Sequence, residues 1–175
     1  MMSPEEIKKK AESLQHKSLR EILDENKIKL YTKDLSDLNT AEEGKVSWAI
    51  LRNDDWTYSI FLEKSESDVR RRFTLAHELW HFFLHKDELE KWIIDFQNTP
   101  SLFRPTENRG ENGMSQLTAQ QEHEANLFAA ELLMPEKLVK DAWNVTKDIE
   151  QLSEIFSVSM QAMTYRLLNL WFISR

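Results

Sequence analysis

The sequence predicts an α+β fold, mainly helical, with a small sheet of about three strands and a helical carboxy-terminal tail. Three observations carry this. The 175 residues include only three glycines and four prolines, so helices can run long without a breaker. Two central segments, "RRRFTLAHELWHFFLH" at 70–85 and "QEHEANLFAAELLMP" at 121–135, have helical apolar spacing. Before them come three short runs rich in β-branched and aromatic residues.

The elements follow in order. Ser3-Pro4-Glu5-Glu6 combines a hydroxyl cap, proline at the first helical position and acids in the first turn. Ile7, Ala11, Leu14, Leu19, Ile22 and Leu23 then predict a helix to about residue 25. "KIKLYT" at 27–32 alternates as a strand, and "KVSWAIL" (45–51) and "TYSIFL" (57–62) flank "RNDDW" as a hairpin. Ser65-Glu66-Ser67-Asp68 resembles a capping box and predicts a helix over 67–84. The stretch 85–97 reads equally as a helical turn or a further strand. Residues 98–116 hold two of the three glycines and two prolines, the composition of a long functional loop. A helix over 118–133, stopped by Met134-Pro135, precedes three tail helices at 135–143, 147–156 and 159–172.

Composition narrows the function. A net charge of −7, from 30 acidic against 23 basic residues, speaks against binding a phosphate backbone. With no cysteine, disulfides are excluded and a metal must be held by histidine and carboxylate. No apolar run reaches the ~20 residues that span a bilayer, and the first residues, "MMSPEEIKKKAESLQHK", are charged throughout. The expectation is a soluble, cytoplasmic protein with no membrane partner.

His77-Glu78-Leu79-Trp80-His81 places two histidines at i and i+4, about 40° apart around a helix and one turn along it. Both imidazoles can then reach one ion, with Glu78 beside it to take a proton from water. The helix is apolar on almost every side, and a buried Glu between two histidines needs a partner. The competing reading is a core helix whose histidines bond to backbone carbonyls. His85 reads as a cation at the end of the helix, and His16 as an isolated surface residue. A catalytic zinc site has three protein ligands and an open position, so a third ligand is expected on another element. Glu122 is the favoured candidate, sharing a helix face with Asn126, which can hydrogen-bond the far nitrogen of a ligating imidazole. Glu124 and Glu131 point about 200° and about 180° away from Glu122. His123 is a weaker candidate, as ligand or as hydrogen-bond donor to the transition state.

These two segments together resemble the ImmA/IrrE family of zinc metallopeptidases, closely over residues 72–85 and 122–135. The hairpin and "LSEIFSVSMQAMTYRL" (152–167) are more loosely similar. The resemblance implies a small zincin-like, gluzincin-type fold, with a metallopeptidase domain at 1–134 and a helix-turn-helix-like subdomain at 135–175 packed on it. It implies that His77, His81 and Glu122 bind Zn2+, with Mn2+ or another divalent ion as the alternative, and that Glu78 is the general base. It also implies a partner: a helix-turn-helix repressor, encoded nearby, whose cleavage switches on mobile-element, phage or stress genes. Trp80 stands where the family usually has a small residue, and is expected to form part of the site wall or pack under a neighbouring element. The stretch between His81 and Glu122 is longer than usual, which suggests a specificity loop or lid. Tyr58, His123, Arg104 and Arg109 are unranked candidates for stabilising the oxyanion, and a sheet edge of the hairpin could take the substrate as an added strand.

Two other functions compete. Residues 149–170 resemble a helix-turn-helix that could read DNA, but Arg166 is the only base in the second helix, and direct nucleic-acid binding is not expected. The protein could also hold a metal and regulate its partner by binding without cutting.

Overall fold

The structure, a computed structural model, describes residues 2–36, 48–53, 57–95 and 119–174. Helices α1 (Pro4–Glu12) and α2 (Leu19–Glu25) lead into strands β1 (Ile28–Lys33), β2 (Trp48–Arg52) and β3 (Tyr58–Glu63). Helices α3 (Asp68–Asp95), α4 (Ala119–Leu133), α5 (Glu136–Thr146), α6 (Ile149–Ile155) and α7 (Met160–Asn169) follow. The mainly helical α+β prediction holds. None of the helices among the described residues is long and apolar enough to cross a membrane.

The single helix expected to residue 25 is two. Ser18 accepts from the Glu21 amide at 3.2 Å while Glu21 Oε2 accepts from the Ser18 amide at 2.7 Å. This capping box repeats the one formed by Ser3 and Glu6. An N-cap in the middle of the apolar pattern restarts the helix. Ile7 and Ala11 of α1, and Ile22 and Leu23 of α2, still reach one core.

The hairpin is present, and β3 lies at the centre of the sheet. It pairs antiparallel with β2 (Ile50 opposite Ile60) and parallel with β1 (Leu30 opposite Ile60), giving the order β1-β3-β2. Being flanked on both sides explains why β3 buries Tyr58, Ser59, Ile60, Leu62 and Glu63. The Glu63 carboxylate accepts from the amides of Leu35 (2.7 Å) and Ser65 (2.8 Å), which closes the strand end and turns the chain toward α3. Ser67 caps α3 by accepting from the Arg70 amide at 3.3 Å; position N3 is Arg70, so the reciprocal carboxylate of a full capping box is absent there.

The backbone of α3 stays helical to Asp95, eleven residues beyond the expected end. That settles 85–95 as helix and overturns the terminal position expected for His85, which lies within α3. The loop at 98–116, with Arg104 and Arg109, lies outside the described residues.

α3 packs on α4, which also receives α1. Leu79, Trp80 and Phe82 of α3 meet Ala125, Phe128 and Ala129 of α4 in the core, continuous with Leu152, Met163 and Leu167 of the tail. Burial on this scale is the main stabilising term. Two arginines fix the tail. Arg166 of α7 gives both terminal nitrogens to Glu131 of α4 at 2.8 Å, and its Nε to the Met134 carbonyl at 2.9 Å. Arg72 of α3 donates to the carbonyls of Phe156 (2.7 Å) and Ser157 (3.1 Å) in the turn between α6 and α7. Ser157 takes φ 50°, the left-handed conformation that lets so short a turn reverse the chain.

Candidate metal centre

The fold brings His77, His81 and Glu122 together, with one ligand-capable atom from each lying within 4.8 Å of the others. α3 supplies both histidines because their spacing stacks them one turn apart. α4 crosses against them, and its first turn presents Glu122. His77 Nε2 and His81 Nε2 are 3.0 Å apart, His77 Nε2 is 3.2 Å from one Glu122 oxygen, and His81 Nε2 is 3.4 Å from the other. An ion with tetrahedral bonds of about 2.0–2.1 Å holds its donors about 3.3–3.4 Å apart. The three side chains approach at distances close to that spacing, with the two histidines facing different oxygens of one carboxylate, so this donor set fits a small divalent cation.

His77 Nδ1 donates to Asn126 Oδ1 at 3.1 Å. The neutral ring then carries its lone pair on Nε2, the atom facing the other two donors. Asn126 thus stands in the orienting position expected for it. In the metal-free protein burial raises the Glu122 pKa, but hydrogen bonds and charge from His77 and His81, rings that a bound ion would hold neutral, outweigh it and leave the carboxyl at about 2. It is anionic at neutral pH, as a metal ligand should be.

Glu78 is fully buried, and among the described residues neither of its oxygens has a hydrogen-bond partner. Burial first, then the neighbouring Glu122 charge, pushes its pKa well above the ordinary carboxyl range. A buried carboxyl in this state costs stability unless a cation or a water answers it. Its presence beside the triangle of donors is a second, independent reason to place a cation there.

Trp80 does not reach the site. It is buried and stacks on Phe128 of α4, with ring centroids 4.8 Å apart at 29°. The ring packs between α3 and α4, one of the two placements expected. Trp80→Phe keeps the stack and most of the volume. It is expected to cost about 1–2 kcal/mol in urea unfolding and to leave bound metal per chain unchanged.

The remaining acids and candidates sort clearly. Glu124 is buried and accepts from Gln120 at 3.1 Å, and Glu131 is held by Arg166, so neither joins the cluster. Tyr58 is a core residue in edge contact with Phe82 at 4.9 Å, which removes it as an oxyanion donor. His123 lies on the wall of a groove of about 870 Å³ that opens from His77, Glu78 and Glu122. The groove's far side is made by α7, whose contribution the sequence reading missed. The signal was available, since Gln161, Tyr165 and Asn169 recur every fourth residue opposite the buried Met163 and Leu167.

Comparisons with known proteins identify the family. Residues 24–168 match the model of the IrrE N-terminal-like domain of the M78 peptidases. The chain belongs to the ImmA/IrrE family of metallopeptidases. Metallopeptidase ImmA of Bacillus subtilis (strain 168) is 28% identical over 149 residues, covering 84% of this chain and 73% of that protein. The family match spans β1 to α7 and so includes the helices that carry His77, His81 and Glu122 and most of the tail. For an ImmA/IrrE metallopeptidase a divalent metal and a protein substrate are the expected chemistry, and the donor triangle is where this chain can hold the metal.

Proposed function

We propose that the protein is a zinc-dependent, site-specific endopeptidase of the cytoplasm that cuts a helix-turn-helix repressor and so derepresses mobile-element, phage or stress genes. The observation carrying it is the convergence of His77, His81 and Glu122 beside Glu78, whose buried oxygens have no hydrogen-bond partner among the described residues. His77, His81 and Glu122 would hold the ion. When bound, it supplies Lewis acidity to the scissile carbonyl and to the attacking water. Glu78 takes the proton from that water as its oxygen bonds to the carbonyl carbon, then delivers it to the leaving amine as the C–N bond breaks. The buried wall around Glu78 keeps bulk water from competing for that proton. Asn126 holds the His77 ring in its ligating tautomer. His123, exposed on the groove, is the remaining candidate among the described residues for stabilising the oxyanion. Among the described residues β2, the outer strand of the hairpin, is a sheet edge to which a substrate strand could be added.

We also read residues 1–134 as the catalytic domain and 135–175 as a helix-turn-helix-like subdomain packed on it; the Arg72 and Arg166 tethers support the packing. The DNA-binding alternative loses its basic residue to the protein interior, since Arg166 is 3% exposed and paired with Glu131.

The test is direct. The zinc-loaded protein is incubated with the helix-turn-helix repressor encoded beside its gene, with and without chelator, and product termini are mapped by mass spectrometry. One internal cut, abolished by chelator and restored by Zn2+, is expected. Bound zinc with an intact repressor would instead favour a regulator that binds without cutting.

A further inference from the structure

The groove beside the donor triangle is built from two different parts of the chain. Its near end is the pair of helices that carry His77, Glu78 and Glu122, and its far wall is α7 of the tail. We infer that Gln161, Tyr165 and Asn169 of α7 form the wall that selects the substrate, gripping an extended peptide segment beside the bond to be cut. This rests on the peptidase reading and adds to it the surface that chooses the peptide.

Four observations lead there. Gln161, Tyr165 and Asn169 lie at i, i+4 and i+8, so they form one stripe drifting about 40° per step along the helix. All three are exposed, while Met163 and Leu167 on the opposite face hold α7 in the core. The stripe is therefore presented on a rigid element whose own packing does not use it.

Its chemistry suits a polypeptide. Gln161 and Asn169 each carry an amide that can donate to and accept from a peptide backbone. Tyr165, 57% exposed, offers a flat apolar ring and a hydroxyl, the side chain that most often anchors protein interfaces. The stripe itself carries no charge, so it suits the neutral backbone of a peptide.

The groove has an apolar floor. Phe73 of α3, Leu127 of α4 and Ala162 of α7 are half-buried and line it between the donors and the stripe. A neutral, apolar side chain of the substrate fits there while its backbone runs along the amides. At about 870 Å³ the groove is at the large end of ordinary ligand pockets, which suits several peptide residues rather than one small molecule.

Finally, the wall is fixed relative to the metal helices. Arg166 ties α7 to α4 and Arg72 ties the preceding turn to α3. A wall locked to both metal-bearing helices can read the residue neighbouring the scissile bond with a defined offset from the ion.

The test uses zinc-loaded full-length protein and three probes whose hydroxamate chelates the metal. One is acetohydroxamate; the other two carry a leucyl-alanyl extension on one or the other side of the hydroxamate. Binding is measured by calorimetry for the wild type and for the triple variant Gln161→Ala, Tyr165→Ala, Asn169→Ala. The sites are exposed and alanine favours helix, so the variant should fold, which its Tm will report. At least one extended probe is expected to bind the wild type about tenfold or more tighter than acetohydroxamate. The triple variant should lose that gain while keeping its zinc stoichiometry, Tm and acetohydroxamate affinity. The inference is overturned if the variant keeps the gain, or if neither extension strengthens binding to the wild type. Acetohydroxamate that fails to bind the zinc-loaded wild type overturns the metal reading itself, and this inference with it.

Discussion

Glu78→Gln is expected to keep its zinc and lose cleavage by about a thousandfold, read as single-turnover rate against metal content. The amide fills the same buried space as the carboxylate but cannot take a proton from water. A variant that still cleaves at the wild-type rate would remove Glu78 as the base while leaving the metal triangle intact. The same substitution has a pH signature in the metal-free protein. The folded Glu78 has a pKa raised above its ordinary 4.5 by burial and by Glu122. The folded chain therefore keeps a proton that the unfolded chain gives up, and its stability falls as pH rises from about 4.5 towards the raised value. Glutamine has nothing to titrate. The variant should match the wild type near pH 4 and exceed it by about 1–3 kcal/mol at neutral pH. Glu122 works in the opposite sense, its contribution being lost as pH falls towards about 2, and it does so in both proteins. A stability difference that ignores pH would contradict the buried-carboxyl account. Glu78 is thus expected to be a group the metal-free fold tolerates at a cost and the reaction requires.

Arg166→Met is expected to destabilise the protein by about 3–5 kcal/mol in urea unfolding. Arg166 and Glu131 are both nearly excluded from solvent, with side chains 3% and 8% exposed. Removing the cation strands a buried carboxylate and leaves the Met134 carbonyl without the Nε donor. Replacing both partners, Arg166→Met with Glu131→Leu, should recover most of the loss, because a well-packed apolar pair avoids the desolvation of two charges. A single variant that loses less than about 1 kcal/mol would show that the pair is not what anchors α7.

Local chemistry made much of this legible in the sequence. The His77-to-His81 spacing needs only one helix turn, and a buried helix with two histidines around a glutamate has few other uses. The angular exclusion of Glu131 also held, since the half-turn that takes it away from Glu122 points it at Arg166. What the sequence hid was non-local. The parallel pairing of β1 with β3 joins residues thirty positions apart, as with Ile28 and Tyr58, and no periodicity within either strand specifies it. The break between α1 and α2 was written in Ser18 and Glu21, a capping signal masked by apolar spacing that continued through it. The extension of α3 beyond Leu84 was open because "HKDELEKWIID" suits more than one conformation. Arg166 seemed a lone surface base only because its partner lies thirty-five residues earlier.

α4, the helix that brings Glu122 to the two histidines, is held from opposite ends of the sequence. Gln15, after α1, donates to the Glu131 carbonyl, and Arg166 holds the same residue's carboxylate. During synthesis the histidines of α3 emerge well before that second tether exists. The second of these tethers forms only once Arg166 has left the ribosome and α7 has docked, since non-local contacts form last. The nascent chain thus passes through much of its translation with the cluster of His77, His81 and Glu122 not yet braced.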